Sequence, residues 1–318
     1  MHTFFLLSAL LLAALVSLLG ALLLRLLPVG NRRPAALTVL VLPAAVLGLA
    51  TTHLVPFFWA ECAPLVGWDR VASFSLLGVL AAIGLGAVAL SIGRLLLVDR
   101  LLPACAPVGD SVVTTNARVF AERVGLPPPV FRVLPSDSPL AVAGGLRQPS
   151  VVLSTWLFDH LDPHELESVL THELAHLARR DYLARWLGRV LRDATIYLPG
   201  AWYALRVLEA DEELSADALA VSATGRPLSM ASALGKVWQA LSTLDSASLA
   251  GIPAYAGGSA DLIEERMRRL VAGQAVPTSA VLGRVVAALG LVATAELASQ
   301  LLTLSATTIP FVCSMRVL

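Results

Sequence analysis

Four long apolar stretches dominate the pattern of hydrophobic and polar positions along this chain. They cover residues 4–24, 35–59, 71–97 and 281–304. About 20 consecutive apolar residues are enough for a helix to cross the hydrocarbon core of a bilayer. We therefore predict four membrane-spanning helices, three of them ahead of a large polar segment and one after it.

Arginines at the ends of these stretches predict how the helices are oriented. Arg25, Arg32 and Arg33 lie between the first and second stretches, and Arg94 and Arg100 lie at the end of the third. Loops rich in arginine and lysine stay on the cytoplasmic side. We therefore expect both termini outside the plasma membrane and the polar segment in the cytoplasm.

The polar segment predicts a mixed α+β domain. A helix capped by Asp110 or Ser111 should end near Val124, ahead of a glycine and three prolines. Short β-like runs follow at 130–134, 140–143 and 151–154. The expected domains are a three-helix transmembrane region (1–100), a cytoplasmic domain (101–278), and a fourth span with a short outer tail (279–318).

A second helix of this domain has clear start signals. Asp162 is a favourable N-cap, Pro163 suits the first helical position, and Glu165 completes a capping box. The helix should run to about Arg180.

Residues 182–198 form an amphipathic pattern that is too charged for a fifth span. Its polar side carries Arg185, Arg189 and Arg192. Such a helix can lie against the inner leaflet or pack on the core of its domain, and the pattern does not choose between these. A further helix is predicted at roughly 203–222. Stretches rich in glycine, serine and alanine at 242–260 and 272–279 predict loops.

Composition agrees with the predicted spans. Hydrophobic residues make up 57% of the 318 residues and charged residues only 14%, against about a quarter in soluble domains. The net charge of zero gives no sign of direct nucleic-acid binding. Three cysteines are too few for a disulfide scaffold. Cys62 and Cys313 are both expected outside, either as free thiols or as one disulfide.

Two ionisable residues fall inside predicted spans. His53 lies in the second span and Glu296 in the fourth, at similar distances from the cytoplasmic ends. They either form a functional pair within the membrane or reach the outer headgroups.

The candidate chemistry lies in the helix that begins at Pro163. His172 and His176 are four residues apart and share one helix face, so both can bind one metal ion. Zinc with three protein ligands keeps one position open and lowers the pKa of its water to about 7. Glu173 can then act as the general base on that water. The alternative is a solvated helix face with two histidines.

A third ligand has to come from another segment. An acidic run offers Glu209, Asp211, Glu212, Glu213 and Asp217, and helical periodicity alone does not choose among them. For Glu209, Asp211 and Glu212 we expect a solvated acidic face. His160 and His164 are expected in surface or capping roles.

The motif and the acidic run together resemble the integral-membrane gluzincin peptidases. The resemblance rests on HELAHLARRD (172–181) and LPGAWYALRVLEADEELSAD (198–217), and it covers most of 110–270. Two branches share this pattern. One comprises the HtpX-like quality-control proteases and their CAAX-prenyl endopeptidase relatives. The other comprises BlaR/MecR-type receptor peptidases, which sense beta-lactams and cleave a transcriptional repressor.

The resemblance implies a cytoplasmic gluzincin-type domain with one zinc ion per chain. His172, His176 and Glu213 would bind it, with Glu213 supplied by a Glu-x-x-x-Asp element. Asp217 closes that element and would contact a zinc histidine. Arg266 matches a late arginine of these families, for which a structural salt bridge is as reasonable as a catalytic role. A strand ahead of the active helix would present its edge to an extended substrate.

The order of the spans resembles the BlaR/MecR branch, whereas Ala216 stands where that branch usually has cysteine. Because only a short tail follows the fourth span, we expect no penicillin-binding sensor domain. A signal would then come through the spans, the outer loop or a separate sensor protein.

We accordingly expect a membrane-embedded zinc endopeptidase that cleaves a cytoplasmic DNA-binding repressor or another signalling protein. The alternatives are an HtpX-like quality-control protease of membrane proteins and a catalytically idle, zinc-stabilised membrane scaffold.

Overall fold

The computed structural model describes residues 2–59, 67–101, 105–109, 111–144, 148–243, 260–273 and 281–314. The helices are α1 His2–Leu26, α2 Arg32–Trp59, α3 Gly67–Leu101, α4 Val112–Arg123, α5 Thr155–His160, α6 Pro163–Arg179, α7 Asp181–Ala194, α8 Pro199–Thr224, α9 Pro227–Ser242, α10 Ala260–Ala272 and α11 Val281–Ser314. The strands are β1 Ala106–Pro107, β2 Val130–Leu134, β3 Ala141–Gly144 and β4 Ser150–Ser154.

The chain divides into two compact units. The span unit comprises Met1–Ser91, Trp186–Leu208 and Ser279–Leu318. The sheet unit comprises Ile92–Arg185 and Glu209–Thr278.

Helices long and apolar enough to cross a membrane lie in the span unit, except for the last six residues of the third. Within the described residues they are Leu6–Leu26, Arg32–Ala50 and Val71–Leu97. They overlap the first three predicted spans, and the second ends at Ala50 where the prediction reached residue 59. Helix α11 covers the fourth predicted span, which stays a prediction, as does the orientation of the helices. Cys62 and the side chains of His53 and Cys313 lie outside the described residues, while Glu296 is exposed on α11.

The sheet of the second unit has the strand order β1-β2-β4-β3. Strand β4 lies in its interior, parallel to β2 and antiparallel to β3. All five residues of β4 are buried, as its Val-Val-Leu centre favours. The three predicted β-like runs coincide with β2, β3 and β4 within one residue at each end. Strand β1 is only two residues long and gives no recognisable pattern.

Helix α6 packs its apolar side on the core of the sheet unit. Leu166, Leu170, Leu174 and Leu177 recur every three or four residues and are buried there. The two histidines of the motif lie on the opposite side of the helix.

The start of α6 has the predicted capping box and a further connection. The carboxylate of Asp162 accepts hydrogen bonds from the backbone amides of His164 and Glu165, at 2.8 and 2.9 Å. The buried Glu165 accepts from the amide of Asp162 at 2.8 Å. Glu165 also accepts hydrogen bonds of 2.6 and 2.7 Å from Ser232 and Lys236 on α9. It therefore joins α9 to the start of α6.

Replacing Glu165 with glutamine should reduce stability, and the loss should depend on pH. Burial raises the pKa of Glu165, but its bonds to Lys236, Ser232 and the Asp162 amide lower it below 4.5 overall. A carboxyl with a lowered pKa stabilises the folded state above its unfolded pKa and loses that contribution as pH falls. We expect Glu165→Gln to lose about 2 kcal/mol at pH 7.

The measurement is thermal unfolding of the full-length protein in detergent between pH 7 and pH 3. The difference from wild type should shrink as pH falls below about 4.5, because the carboxyl is then protonated first in the unfolded chain and, at still lower pH, in the folded protein. The exposed Glu122 offers the control Glu122→Gln, for which little change is expected. A difference that stays constant across this range would contradict the charge-based account.

Candidate metal centre

Two helices of the sheet unit bring together the ligands predicted from the sequence. His172 and His176 lie one turn apart on α6, and Glu213 lies on α8. The Nε2 atoms of the two histidines are 3.1 Å apart. One carboxylate oxygen of Glu213 lies 3.4 Å from Nε2 of His172, and the other lies 3.5 Å from Nε2 of His176.

These separations fit a tetrahedral metal site. Metal bonds of about 2.0–2.1 Å at tetrahedral angles place ligand atoms about 3.3 Å from one another. The three measured distances lie on either side of that value. Oxygen and imidazole nitrogen are also the donors that zinc sites of this kind use. The residues present therefore fit one metal ion bound by His172, His176 and Glu213.

Each histidine is held by a carboxylate through its other ring nitrogen. Nδ1 of His172 lies 2.9 Å from Oδ1 of Asp217. Nδ1 of His176 lies 2.9 Å from Oδ2 of Asp181. Such carboxylates fix the imidazole tautomer so that Nε2 is available to the metal. The structure thus places Asp217 where the sequence resemblance expected it, and it adds Asp181.

Asp181 reaches His176 because the chain reverses at Arg180. Arg180 has φ 54° and ψ 38°, and it is the one non-glycine residue with positive φ in the described part of the chain. That left-handed conformation costs an L-residue roughly 1–2 kcal/mol. Helix α7 starts at the next residue, so Asp181 stands five positions after His176 yet faces it. Helical spacing alone does not reveal this contact, although Asp181 is the last residue of the HELAHLARRD segment.

Replacing Asp181 with alanine should weaken metal binding without removing a ligand. Loss of such a partner typically lowers metal affinity about 10- to 100-fold. Competition with a chromophoric chelator on the purified full-length protein measures the change. Asp159→Ala, at an exposed position just ahead of α6, serves as the control and should leave the affinity unchanged. Equal affinities for the two variants would rule out an orienting role for Asp181.

Two arginines hold the carboxylates of α8. Arg266 on α10 forms a bidentate salt bridge with Asp217, at 2.7 and 2.8 Å, and contacts Glu213 at 3.0 Å. Arg185 on α7 donates to Glu213 at 3.0 Å and to Glu212 at 3.2 Å. The contacts of Arg266 are those of a buried structural salt bridge. Arg185 was not singled out from the sequence, where it belongs to the basic side of an amphipathic pattern.

These neighbours determine the charge state of the candidate ligands. Burial lowers the pKa of His176, but the charge of Glu213 and the hydrogen bond to Asp181 raise it to about 10. Burial likewise lowers the pKa of His172, and its contacts with Asp217 and Glu213 outweigh that effect. Burial raises the pKa of Glu213, whereas the charges of His176 and Arg266 bring it well below its ordinary value. Glu213 is therefore ionised at neutral pH, as a metal ligand must be, whereas His176 holds a proton that metal binding would release.

The expectation of a solvated acidic face was wrong for Asp211 and Glu212. Both are buried. Glu212 lies beside Arg185, which contributes the opposite charge that a buried carboxylate needs. His160 and His164 are exposed, as expected.

The segment that contains most of these residues is similar to a known peptidase family. Residues 135–229 match the profile of a peptidase family described as BlaR1 peptidase M56. The resemblance to membrane peptidases of the M56 and HtpX type is confirmed. The M56 segment contains both histidines of the motif together with Glu173, Glu213 and Asp217, whereas Arg266 lies beyond it.

Several curated proteases are similar to part of this chain. A protease HtpX homolog of Gemmatimonas aurantiaca is 30% identical over 149 residues, which are 36% of this chain and 53% of that protein. HtpX homolog 1 of Streptomyces coelicolor is 33% identical over 154 residues, which are 37% and 50% of the two chains. A homolog from Thermococcus kodakarensis is 31% identical over 161 residues, or 39% and 55%. The chain thus spans about half the length of these relatives.

Proposed function

We propose that this protein is a membrane-embedded zinc endopeptidase. His172, His176 and Glu213 would bind one zinc ion per chain, and Glu173 would be the general base. The observation that carries the proposal is the convergence of the three ligands at separations of 3.1–3.5 Å. The match of the surrounding segment to a peptidase family supports it.

The chain's own residues would each have a part in peptide hydrolysis. When bound, zinc would polarise the scissile carbonyl and lower the pKa of a water molecule to about 7. Glu173, buried on α6 beside the first histidine, would take the proton from that water and pass it to the leaving amine. Asp217 and Asp181 would keep the two imidazoles oriented.

An extended protein substrate would pair with β3. This strand ends the sheet on one side, is hydrogen-bonded to β4 along its other side, and lies against α6. A strand at a sheet edge can bind a peptide through main-chain hydrogen bonds. The proposal therefore includes substrate binding in an extended conformation next to the motif helix.

The biological role we favour is regulated cleavage of a DNA-binding repressor or another signalling protein on the cytoplasmic side of the plasma membrane. The match to a family described by BlaR1 supports this role, in which a separate sensor protein would be a partner. A second role is quality control of membrane proteins, supported by the similarity to proteases described as HtpX homologs. A buried glutamate in the motif disfavours an idle scaffold, because zinc binding alone does not require Glu173.

The test compares protein N-termini in cells that express wild type or Glu173→Gln. Glutamine removes the base but none of the three ligands, so the purified variant should keep its metal while cleavage falls at least about 100-fold. One or two termini in a DNA-binding protein, present only with wild type, would support signalling. Many termini among membrane proteins would favour quality control. Identical termini in both strains, under every stress applied, would contradict the peptidase proposal.

A further inference from the structure

The end of α7 and the start of α8 pack among the candidate spans. Within the span unit, Trp186–Leu208 shares one hydrophobic core with α1 and α2. Gly200 makes the closest approach, because a Cβ added there would overlap Oγ and the carbonyl oxygen of Ser17. Gly188 packs on Leu40 less closely, since a Cβ added at Gly188 would lie 3.4 Å from a methyl group of Leu40, an ordinary van der Waals distance.

These contacts determine how deep the segment lies. Consecutive spans alternate in direction, so Leu26, Arg32 and Leu97 mark span ends on one side of the membrane. Ser17 is nine residues before Leu26 and Leu40 is eight residues after Arg32. At about 1.5 Å per residue, both lie about 12–14 Å from that side. Half of a hydrocarbon core about 30 Å thick is about 15 Å.

A third contact lies closer to that side of the membrane than the other two. The indole nitrogen of Trp186 donates to the carbonyl oxygen of Ser91 at 3.3 Å. Ser91 lies six residues before Leu97, or about 9 Å from the same side. The chain therefore goes deeper from Trp186 to Gly200 and then returns along α8.

Several polar groups of the turn between the two helices are hydrogen-bonded within the turn. The amide of Leu198 donates to the carbonyl of Thr195 at 2.8 Å, and the hydroxyl of Thr195 donates to the carbonyl of Leu191 at 2.7 Å. The indole of Trp202 donates to the carbonyl of Ile196 at 3.0 Å. Non-helical backbone at membrane depth is tolerated only where such groups have partners.

The charges near the turn are also paired. Arg192 forms a 2.6 Å salt bridge with Asp193, and its guanidinium lies 4.3 Å from the centre of the Trp202 ring. Pairing and stacking of this kind reduce the cost of placing an arginine within a bilayer.

The outer side of the turn is apolar and open. Ile196 is 50% exposed, and Tyr197 and Trp202 are more than a third exposed. Residues of the first span that are expected to face lipid are also apolar and exposed; Leu15, for example, is 53% exposed. The tip of the turn is therefore as apolar and as exposed as the residues of the first span that are expected to contact lipid.

We propose that residues 186–208 form a re-entrant hairpin that enters the bilayer to about mid-depth and whose tip is covered by lipid acyl chains. The amphipathic pattern of 182–198 allowed only surface or domain packing, because its charges argue against a span. The ion pair of Arg192 and the internal hydrogen bonds of the turn weaken that objection. This inference depends on the spans and not on the metal chemistry.

Depth-dependent fluorescence quenching tests the hairpin in the full-length chain. Cys62, Cys105 and Cys313 are replaced by serine, and a single cysteine is introduced by Ile196→Cys and labelled with a small fluorophore. The protein is reconstituted in phosphatidylcholine vesicles with bromines at the middle of the acyl chains. Leu15→Cys is the lipid-facing control, and Leu228→Cys, 65% exposed at the start of α9, is the control in the sheet unit.

We expect brominated lipid to quench the label at 196 to within about twofold of the label at 15, and several-fold more than the label at 228. Quenching by aqueous iodide instead, as at 228, would overturn the proposal because the tip would be in water. Absence of quenching by either agent would also overturn it, since protein would then cover the tip. None of these outcomes depends on zinc or on proteolysis, so failure here leaves the proposed peptidase function intact.

Discussion

Replacing His176 with alanine should leave the purified protein without its metal ion. The candidate site has three ligand side chains, and their atoms are separated by distances that one tetrahedral ion requires. Loss of one ligand leaves two, with a cavity in place of the imidazole. The affinity should therefore fall by well over the roughly 100-fold that loss of an outer partner causes.

Elemental analysis after dialysis against a competing chelator measures this effect. Wild type should retain about one zinc ion per chain, and His176→Ala close to none. His164→Ala is a suitable control, because His164 is an exposed histidine on the same helix that contacts Arg226 instead of the site. Zinc retained equally by both variants would show that the ion binds elsewhere.

The largest loss of stability is expected from replacing Arg266 with leucine. Arg266 is buried, and its guanidinium is the partner of Asp217, which is also buried. The charge of Arg266 is a main reason why the pKa of Asp217 is lowered to about 2 despite burial, which raises it. Removing one member of a buried pair leaves the other charge uncompensated and costs about 3–5 kcal/mol.

Thermal unfolding of the full-length protein in detergent should show this as a fall of roughly 10 °C in Tm. Arg268 lies two residues further along α10, is largely exposed, and pairs with Glu265. Arg268→Leu should therefore change stability by less than about 0.5 kcal/mol. The double variant Arg266→Leu with Asp217→Asn should recover part of the loss, because no unpaired charge remains. Equal stabilities of Arg266→Leu and Arg268→Leu would contradict the buried-pair account.

The residues in these two predictions differ in how well the sequence alone identifies their roles. His172 and His176 lie four residues apart, so local periodicity alone places them on one face, with Glu173 next to His172 in the chain. Glu213 was one of five acidic candidates, and only the family resemblance selected it. Arg185 and Arg266 are brought to Glu213 by contacts between helices, and no local pattern distinguishes them from the surface arginines around them.

Asp181 shows why helical periodicity does not predict contacts made by residues beyond the end of a helix. Helical spacing from His176 does not bring position 181 onto the metal face. The left-handed conformation at Arg180 does so by starting a new helix at once. Such a conformation is unusual for arginine and is stabilised by the surrounding structure, which the sequence does not display.

Local sequence patterns were enough to predict three candidate spans, the strands β2, β3 and β4, the capped motif helix and the histidine pair. Each depends on residues close together in the chain, where hydrophobic periodicity and capping chemistry act directly. The partners of the ligands, the burial of Asp211 and Glu212, and the packing of 186–208 among the spans became clear only in three dimensions. All of them depend on contacts between residues that are distant in the chain. For the buried carboxylates the reason is electrostatic, because a charge inside a protein is tolerated only where folding brings an opposite charge next to it.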